Sequence, residues 1–226
     1  MKSIKSRVEE AQESHSKYCY PGSDVLINKL GIQNQEDLDV AERRITTLML
    51  TAIQVREIPK PSTLFSAPYY LSLHKEVFER IYDFAGEIRG ENISKGGTPF
   101  CRPEFIFRYL SDTLDTQGRK LTRIKTRDDI TTWLADCYGE LNIIHPFREG
   151  NGRIAREFLR ESVECMDKYL GFNYEIDFSG VNEHSSQMFM HASIVSARAA
   201  DNRELKDFFE GILKEKQNVE TYKSVK

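Results

Sequence analysis

The chain is 226 residues long, 39% hydrophobic and 30% charged, with a formal net charge of −3. This length suits one core domain with an appendage, and a core of that size needs neither disulfides nor a structural metal. No apolar run approaches the ~20 residues of a membrane span, and no basic excess favours nucleic acid, so neither kind of partner is expected. The first ten residues turn acidic where a secretory signal would be apolar, which predicts a cytoplasmic protein. The four cysteines form no C-x-x-C pair and are expected to be free thiols.

The N-terminal part of the sequence is predicted to be helical. A helical arm is expected over residues 1–17, and a helical part that packs on the core is expected over 18–64. The second part opens with a turn at Pro21-Gly22, which ends the arm's helical pattern. The main helix of that part begins near Asn34 and ends before Pro59. Its predicted inward stripe is Leu38, Ala41, Ile45, Leu48, Ala52 and Val55.

The predicted core domain, residues 65–213, opens with a helix over 67–83 that ends at Ala85-Gly86. Residues 88–101 then carry short β-type runs around a glycine turn, which predicts an exposed hairpin. Helices resume at about 103–116 and again after the acidic pair Asp128-Asp129, which can cap a helix. The inward face of that helix is predicted to hold Trp133, Leu134, Cys137, Leu141 and Ile144.

Beyond the helix that starts near Asp128, helical patterns occupy about 151–168, 181–199 and 202–216, with one extended stretch at 173–178. Residues 214–226 are predicted to form a frayed tail. The predicted architecture is therefore all-α, a helical bundle with one short β-hairpin.

Residues 145–156 read HPFREGNGRIAR and carry the candidate chemistry. A helix ends at His145 because Pro146 forbids its continuation, and Gly150-Asn151-Gly152 opens the next helix. The N–H groups at such a glycine-rich helix N-terminus bind anions, and phosphate fits there. Phe147 is assigned mainly to packing the loop against the core.

Four charged or titratable side chains complete this candidate site. Arg153 and Arg156 lie three residues apart, so both can grip phosphate oxygens from one helical face. Glu149 offers a hard carboxylate oxygen to Mg²⁺ on a nucleotide, and His145 can accept a proton from a hydroxyl nucleophile near neutral pH. Together they predict nucleotidyl transfer.

The motif H-x-F-x-[DE]-G-N-G-R-x-x-R fixes seven positions and half-fixes an eighth, so a chance match is on the order of one in ten billion per start position. It matches in full the signature of the Fic family, and the chain resembles Fic toxins and Fic-bearing effectors. The resemblance implies a fido fold and AMP transfer from ATP to a Ser, Thr or Tyr hydroxyl of a target protein. It implies a base at His145, an Mg²⁺ ligand at Glu149, a phosphate cradle at Gly150, Asn151 and Gly152, and grips for the distal phosphates at Arg153 and Arg156.

The resemblance extends upstream of the motif. The segment from Leu73 to Arg89 is similar to the helix and turn before the Fic flap, and Ile93, Ser94, Lys95 and Gly96 are similar to the flap itself. In the family this hairpin lies over the active site and holds the target as an added β-strand. Met188, Met190 and His191 are candidates for an adenine slot by position, although an ordinary core face explains them equally well.

Fic enzymes are commonly restrained by a helix bearing [ST]-x-x-x-E-[GN], whose glutamate pairs with the second motif arginine, here Arg156. Residues 204–226 contain no such pattern. Ser6 and Glu10 have the spacing, but Ala11 follows where glycine or asparagine is required. An inhibitory glutamate supplied by a separate antitoxin protein is therefore expected, with Glu10 as the alternative.

Other readings of the motif stay open. A Doc-like kinase or a phosphocholine transferase uses the same fold, but such relatives usually replace the first motif glycine, which is Gly150 here. A partner-binding module without catalysis would not need an intact base and two arginines. The expected substrates are ATP and a target protein, with Mg²⁺ as cofactor, and the protein could also be a translocated effector.

Overall fold

The computed structural model of the protein describes residues 16–95 and 97–217. Within that part, the helices are α1 Gln35–Gln54, α2 Pro61–Leu64, α3 Ala67–Phe78, α4 Pro103–Lys120, α5 Arg127–Ile144, α6 Asn151–Leu170, α7 Glu183–Ala199 and α8 Arg203–Ile212. Two antiparallel strand pairs accompany them, β1 Ser94–Lys95 with β2 Thr98–Pro99 and β3 Tyr174–Ile176 with β4 Leu213–Glu215. The predicted all-α bundle with a short hairpin is confirmed.

Helix α5 lies at the centre of the bundle, where α4, α6, α7 and α8 pack around it. It begins at Thr126, whose hydroxyl accepts from the Asp129 N–H at 3.1 Å, and the Asp129 carboxylate accepts from the Thr126 N–H at 2.9 Å. This reciprocal capping box makes Thr126 the cap, with Asp129 in support. The five side chains predicted to face inward from α5 are all buried. Because each contributes about 1.5–3 kcal/mol by burial, α5 is a firm support for His145 at its C-terminal end.

The predicted stripe of α1 is wrong in its second half. Leu38 and Ile53 are buried, but Leu48 is 70% exposed and Val55 is 85% exposed. Helix α1 lies at the side of the bundle and packs mainly against α3. A helix at the side of a bundle buries only a narrow face, here the line through Leu38, Thr46 and Ile53, whose residues recur about every two turns.

At the N-terminal end, residues 1–15 lie outside the described residues, so most of the arm predicted over 1–17 remains a prediction. The last two residues of that arm contact the base of the hairpin. The Ser16 hydroxyl donates to Glu91 Oε2 at 2.7 Å, and the Lys17 N–H donates to Glu91 Oε1 at 2.7 Å. The chain is thereby fixed to the hairpin before it enters the bundle.

At the C-terminal end, the helix predicted to reach 216 ends at Ile212, where the chain turns into β4. Lys214 and Glu215 pair with β3, so the frayed tail predicted at 214–226 is wrong for these residues. The ladder with β3, which lies in the predicted extended stretch, satisfies backbone groups that a frayed end would leave to water. Residues 218–226 lie outside the described part.

One hydrophobic core joins the two predicted parts of the chain, because a single cluster contains residues from Cys19 to Leu213. All four cysteines are free thiols, as expected. No helix in the described residues is long and apolar enough to cross a membrane. The end of α5, the start of α6 and the β1-β2 hairpin, called the flap below, meet on one side of this core.

Candidate active site

The loop between α5 and α6 is held in shape by two of its own residues. The Phe147 N–H donates to Asn151 Oδ1 at 2.8 Å, and Asn151 Nδ2 donates back to the Phe147 carbonyl at 2.8 Å. The Phe147 ring is buried and stacks on His74 with ring centroids 3.8 Å apart. The Asn151 side chain therefore braces the loop, and the backbone at the start of α6 is what this loop presents to a ligand.

His145 is the C-cap of α5 and takes a left-handed backbone conformation, with φ of 45°. Its Nδ1 lies 3.2 Å from the Asn142 carbonyl, which can only accept, so Nδ1 carries the proton and Nε2 is left as the basic atom. The imidazole stacks on Phe100 of the flap at 3.7 Å between centroids. Burial lowers the pKa of His145 to about 4, despite the Asn142 hydrogen bond, so the ring is neutral at physiological pH.

Arg89 connects this loop to both ends of the flap, although sequence reasoning did not single it out as a site residue. Its side chain is buried and donates to four carbonyls, those of His145 at 2.8 Å, Glu91 at 2.6 Å, Cys101 at 2.5 Å and Ile144 at 3.5 Å. Burial lowers the pKa of the Arg89 guanidinium. Since each bond goes to a main-chain oxygen, Arg89 fixes the position of the flap relative to His145.

A cavity of about 870 Å³ opens between the flap, the loop and the helices α7 and α8. Its lining includes Ile93, Ser94 and Lys95 of the flap and His145, Glu149, Gly150, Asn151, Gly152 and Arg156 of the loop and α6. Gly96 lies outside the described residues. Most of the predicted site residues are thus brought to one cavity, which combines polar and apolar side chains, as ligand pockets usually do.

The cavity lining also includes the apolar side chains of Phe178, Val181, Phe189, Met190 and Phe208. Of the three candidates for an adenine slot, only Met190 is among the lining residues. Met188 is 56% exposed, and His191 instead lies 2.8 Å from Glu204 on the surface. The aromatic residues were missed because apolar periodicity in a helix cannot distinguish a cavity wall from a core face.

Arg156 lines the cavity and has no carboxylate partner among residues 16–95 and 97–217. Burial lowers the pKa of its guanidinium, with Arg153 adding repulsion. A Cβ on Gly152 would lie 3.3 Å from Arg156 Nη1, so a larger residue at this position would crowd the guanidinium. A desolvated guanidinium that faces a cavity without an anion is suited to bind one.

Helix α6 begins at Gly150, which has φ of 81° and no side-chain cap on the helix. A Cβ at this position would lie 2.3 Å from the Phe78 ring, so only glycine fits. The uncapped first turn of α6 faces the same cavity as Arg156. Anions are stabilised at such helix N-termini by the free N–H groups and the helix dipole.

Both the backbone carbonyl and the side-chain carboxylate of Glu149 accept hydrogen bonds. The Gly86 N–H donates to His74 Nδ1 at 2.8 Å, so Nδ1 is an acceptor and the proton of the His74 ring is on Nε2. This Nε2–H donates to the Glu149 carbonyl at 3.1 Å. Glu149 Oε1 accepts from the Gly150 N–H at 2.8 Å and from Arg153 at 3.3 Å. No group of three or more metal-ligating side chains occurs in the described residues. One carboxylate fits Mg²⁺ only if a nucleotide and water supply the other ligands.

Arg153 differs from its predicted placement, because it is not among the residues that line the cavity. Its Nη2 pairs with Glu42 of α1 at 2.5 Å, and its guanidinium lies over the Phe78 ring at 4.9 Å. Glu42 had no signal in the sequence, since a lone glutamate on an amphipathic helix resembles ordinary surface charge.

Comparisons with known proteins agree with this geometry. A sequence model described as the Fic/DOC family matches residues 64–161. A Sinorhizobium fredii protein, "Probable protein adenylyltransferase y4lH", is 33% identical over 163 residues, covering 71% of this chain and 79% of that protein. The Escherichia coli "Probable protein adenylyltransferase Fic" is 27% identical over 176 residues, covering 76% and 82%.

Solved structures show the same fold. The Bartonella tribocorum BepC protein with bound AMPPNP superposes with a TM-score of 0.75 at 22% identity, covering 88% of this chain and 97% of that one. The N-terminal Fic domain of a Bartonella quintana effector with bound ADP gives a TM-score of 0.77 at 24% identity, covering 88% and 95%. The chain therefore belongs to the Fic/DOC family and is, at the level of that family, a nucleotidyltransferase.

Proposed function

We propose that the chain is a protein adenylyltransferase, which transfers AMP from ATP to a Ser, Thr or Tyr hydroxyl of a target protein. The observation that carries the proposal is the cavity shared by a neutral His145, the uncapped N-terminus of α6 and an Arg156 guanidinium that has no carboxylate partner in the described residues. These are a base and two anion-binding elements within one pocket. The names of the curated relatives and the nucleotides in the solved neighbours support the same chemistry.

In the proposed reaction the target hydroxyl oxygen attacks the α-phosphorus, and its proton passes to His145 Nε2. The bond from the α-phosphorus to the bridging oxygen of the β-phosphate breaks, and pyrophosphate leaves. The first turn of α6 and Arg156 bind the phosphate oxygens and stabilise the negative charge. Glu149 would hold Mg²⁺, which neutralises charge on the nucleotide when bound.

The flap is proposed to dock the target as an added strand. Ser94 and Lys95 are exposed and line the cavity mouth. The Phe100 N–H donates to the Ile93 carbonyl at 3.2 Å, so in the alternating ladder the N–H and C=O of Ser94 face away from β2. An extended peptide could pair with that free edge, close to the His145 ring.

Regulation by an inhibitory glutamate is also proposed, supplied by a separate antitoxin protein as part of a toxin or effector system. The support is that Arg156 meets no carboxylate in the described residues, so its guanidinium is accessible to an added acidic group. Glu10, the alternative in the same chain, lies outside the described residues.

The test uses ATP labelled on either the α- or the γ-phosphate, with cell lysate as the source of targets. AMP transfer predicts label from α-ATP alone and an added AMP mass on modified peptides. His145→Ala is expected to lower transfer by about 10²–10⁴-fold while ATP binding changes little. The matched control is His184→Ala, since His184 is exposed and outside the cavity. Label from γ-ATP would indicate a kinase, and no label from either would favour a binding module.

A further inference from the structure

Glu42 of α1 lies at the centre of a compact polar cluster beside the cavity. Its Oε1 accepts from Arg153 Nη2 at 2.5 Å, and its Oε2 accepts from the Tyr82 hydroxyl in a short hydrogen bond. The Glu42 side chain is only 12% exposed and that of Arg153 24% exposed. Both carboxylate oxygens of Glu42 are therefore engaged, and the pair is shielded from water.

The second partner of Arg153 is Glu149. The same Nη2 donates to Glu149 Oε1 at 3.3 Å, and the Gly150 N–H donates to that oxygen at 2.8 Å. Glu149 Oε2 has no hydrogen bond to any residue within 16–95 or 97–217, and Glu149 lines the cavity. One oxygen is thus fixed by two donors, and the other is left for a ligand.

We infer that Glu42 and Arg153 are positioning residues, which orient the Glu149 carboxylate toward a divalent cation, and that Arg153 does not bind phosphate. The inference rests on the proposed function, since the cation is the one that accompanies ATP. Outer partners that fix a ligating carboxylate typically change metal affinity roughly 10–100-fold when they are removed.

The contrast between the two motif arginines supports this assignment. Arg156 lines the cavity and has no carboxylate partner in the described part of the chain, as a phosphate ligand needs. Arg153 would have to leave both its ion pair with Glu42 and the face of the Phe78 ring to reach the cavity. Breaking a largely buried ion pair leaves Glu42 desolvated and unpaired, so that movement is disfavoured.

The experiment measures the affinity for AMPPNP by calorimetry, once in EDTA and once in Mn²⁺. The half-saturating Mn²⁺ concentration is measured separately, by electron paramagnetic resonance across a Mn²⁺ titration with AMPPNP present. Three proteins are compared with wild type: Glu42→Gln, the double variant Glu42→Gln with Arg153→Gln, and Arg156→Gln. The double variant removes both charges and so avoids an unpaired Glu42 in the core. Circular dichroism melting checks that each variant folds.

The two variants at Glu42 are expected to raise the half-saturating Mn²⁺ concentration by roughly 10-fold or more, with AMPPNP affinity in EDTA within about 2-fold of wild type. Arg156→Gln is expected to weaken AMPPNP binding in EDTA and in Mn²⁺ alike. An unshifted Mn²⁺ requirement in the double variant would overturn the positioning role. A loss of EDTA binding as large as that of Arg156→Gln would show that Arg153 binds phosphate after all. Failure of wild type to bind AMPPNP under any condition would contradict the proposed function itself.

Discussion

His145 combines a strained backbone with a neutral side chain. A left-handed conformation, with φ of 45°, costs a non-glycine residue about 1–2 kcal/mol. The strain persists because neighbours fix the residue on both sides, with Arg89 donating to its carbonyl and Asn142 accepting from its ring. The result is an imidazole whose Nε2 is held ready to accept a proton. Such strain in a folded protein commonly marks a functional position.

The neutrality of His145 can be tested directly. Because burial lowers the pKa of His145 to about 4, its protonation requires a pH well below neutral. We expect the ring to remain in the Nδ1–H form from about pH 5.5 to about pH 8 in the ligand-free protein. Nuclear magnetic resonance of the imidazole nitrogens, assigned with His145→Ala, measures this. A midpoint near the ordinary histidine value would mean that water reaches the ring.

Gly150 offers a second prediction at the scale of one residue. An added Cβ would be 2.3 Å from the Phe78 ring, in addition to the positive φ of 81°. Gly150→Ala is expected to reduce the free energy of unfolding by about 3 kcal/mol or more, from backbone strain and overpacking together. Chemical denaturation provides the measurement.

Two glycines serve as controls for Gly150→Ala. Gly171 has φ of 76° with nothing near its added Cβ, so Gly171→Ala should show the backbone cost alone, about 1–2 kcal/mol. Gly180 has open space and no positive φ, and Gly180→Ala should change stability little. Equal losses at Gly150 and Gly171 would mean that Phe78 moves aside without cost.

At the scale of elements, the flap is the part whose function depends most on its backbone. Ser94→Pro removes an N–H that faces away from β2, so the hairpin pairing can survive the change. We expect modification of protein targets to fall by about ten-fold or more, with AMPPNP affinity unchanged. Ser94→Ala keeps the N–H and is the matched control. Full activity of Ser94→Pro on targets would rule out strand addition at this position.

The elements that could be predicted from sequence are those with local signals. Pro146 and Gly150 marked the end of α5 and the start of α6, and the inward face of α5 was found because many neighbours bury it. The exposure of Leu48 could not be predicted, because it depends on the position of α1 at the side of the bundle, where it packs mainly against α3. Strand β4 was predicted as the end of a helix and the start of a frayed tail, because its ladder pairs it with β3, which is far away in the sequence.

The same distinction holds for the site. The motif predicted that His145, Gly150 and Arg156 lie close together, and all three line one cavity. This was predictable because the loop after α5 and the first turns of α6 are consecutive in the chain. Glu42 and Arg89 are distant in sequence from the loop they contact, so no local pattern could reveal them. Residues that bind a ligand were therefore more predictable than residues that hold those residues in place.

At the scale of the whole molecule, the cavity is where separate parts of the chain can influence one reaction. Ser16 and Lys17 hold Glu91 at the base of the flap, and Arg89 joins that base to the loop of His145. Helix α1 is connected to the cavity residue Glu149 through Glu42 and Arg153. A second protein that delivers a carboxylate to Arg156 would act at the same place without altering the fold.

Whether restraint comes from Glu10 or from another protein can be decided by one substitution. Glu10 lies six residues before Ser16, the first residue that the structure describes. Its following residue, Ala11, departs from the inhibitory pattern, and we expect Glu10→Gly to leave AMP transfer within about 2-fold of wild type. Loss of a real charge-assisted bond to Arg156, about 1.5–3 kcal/mol, would raise transfer about ten-fold or more. Initial rates with α-labelled ATP measure the difference, with Glu9→Gly as control, and strong activation by Glu10→Gly alone would show that the chain carries its own inhibitor.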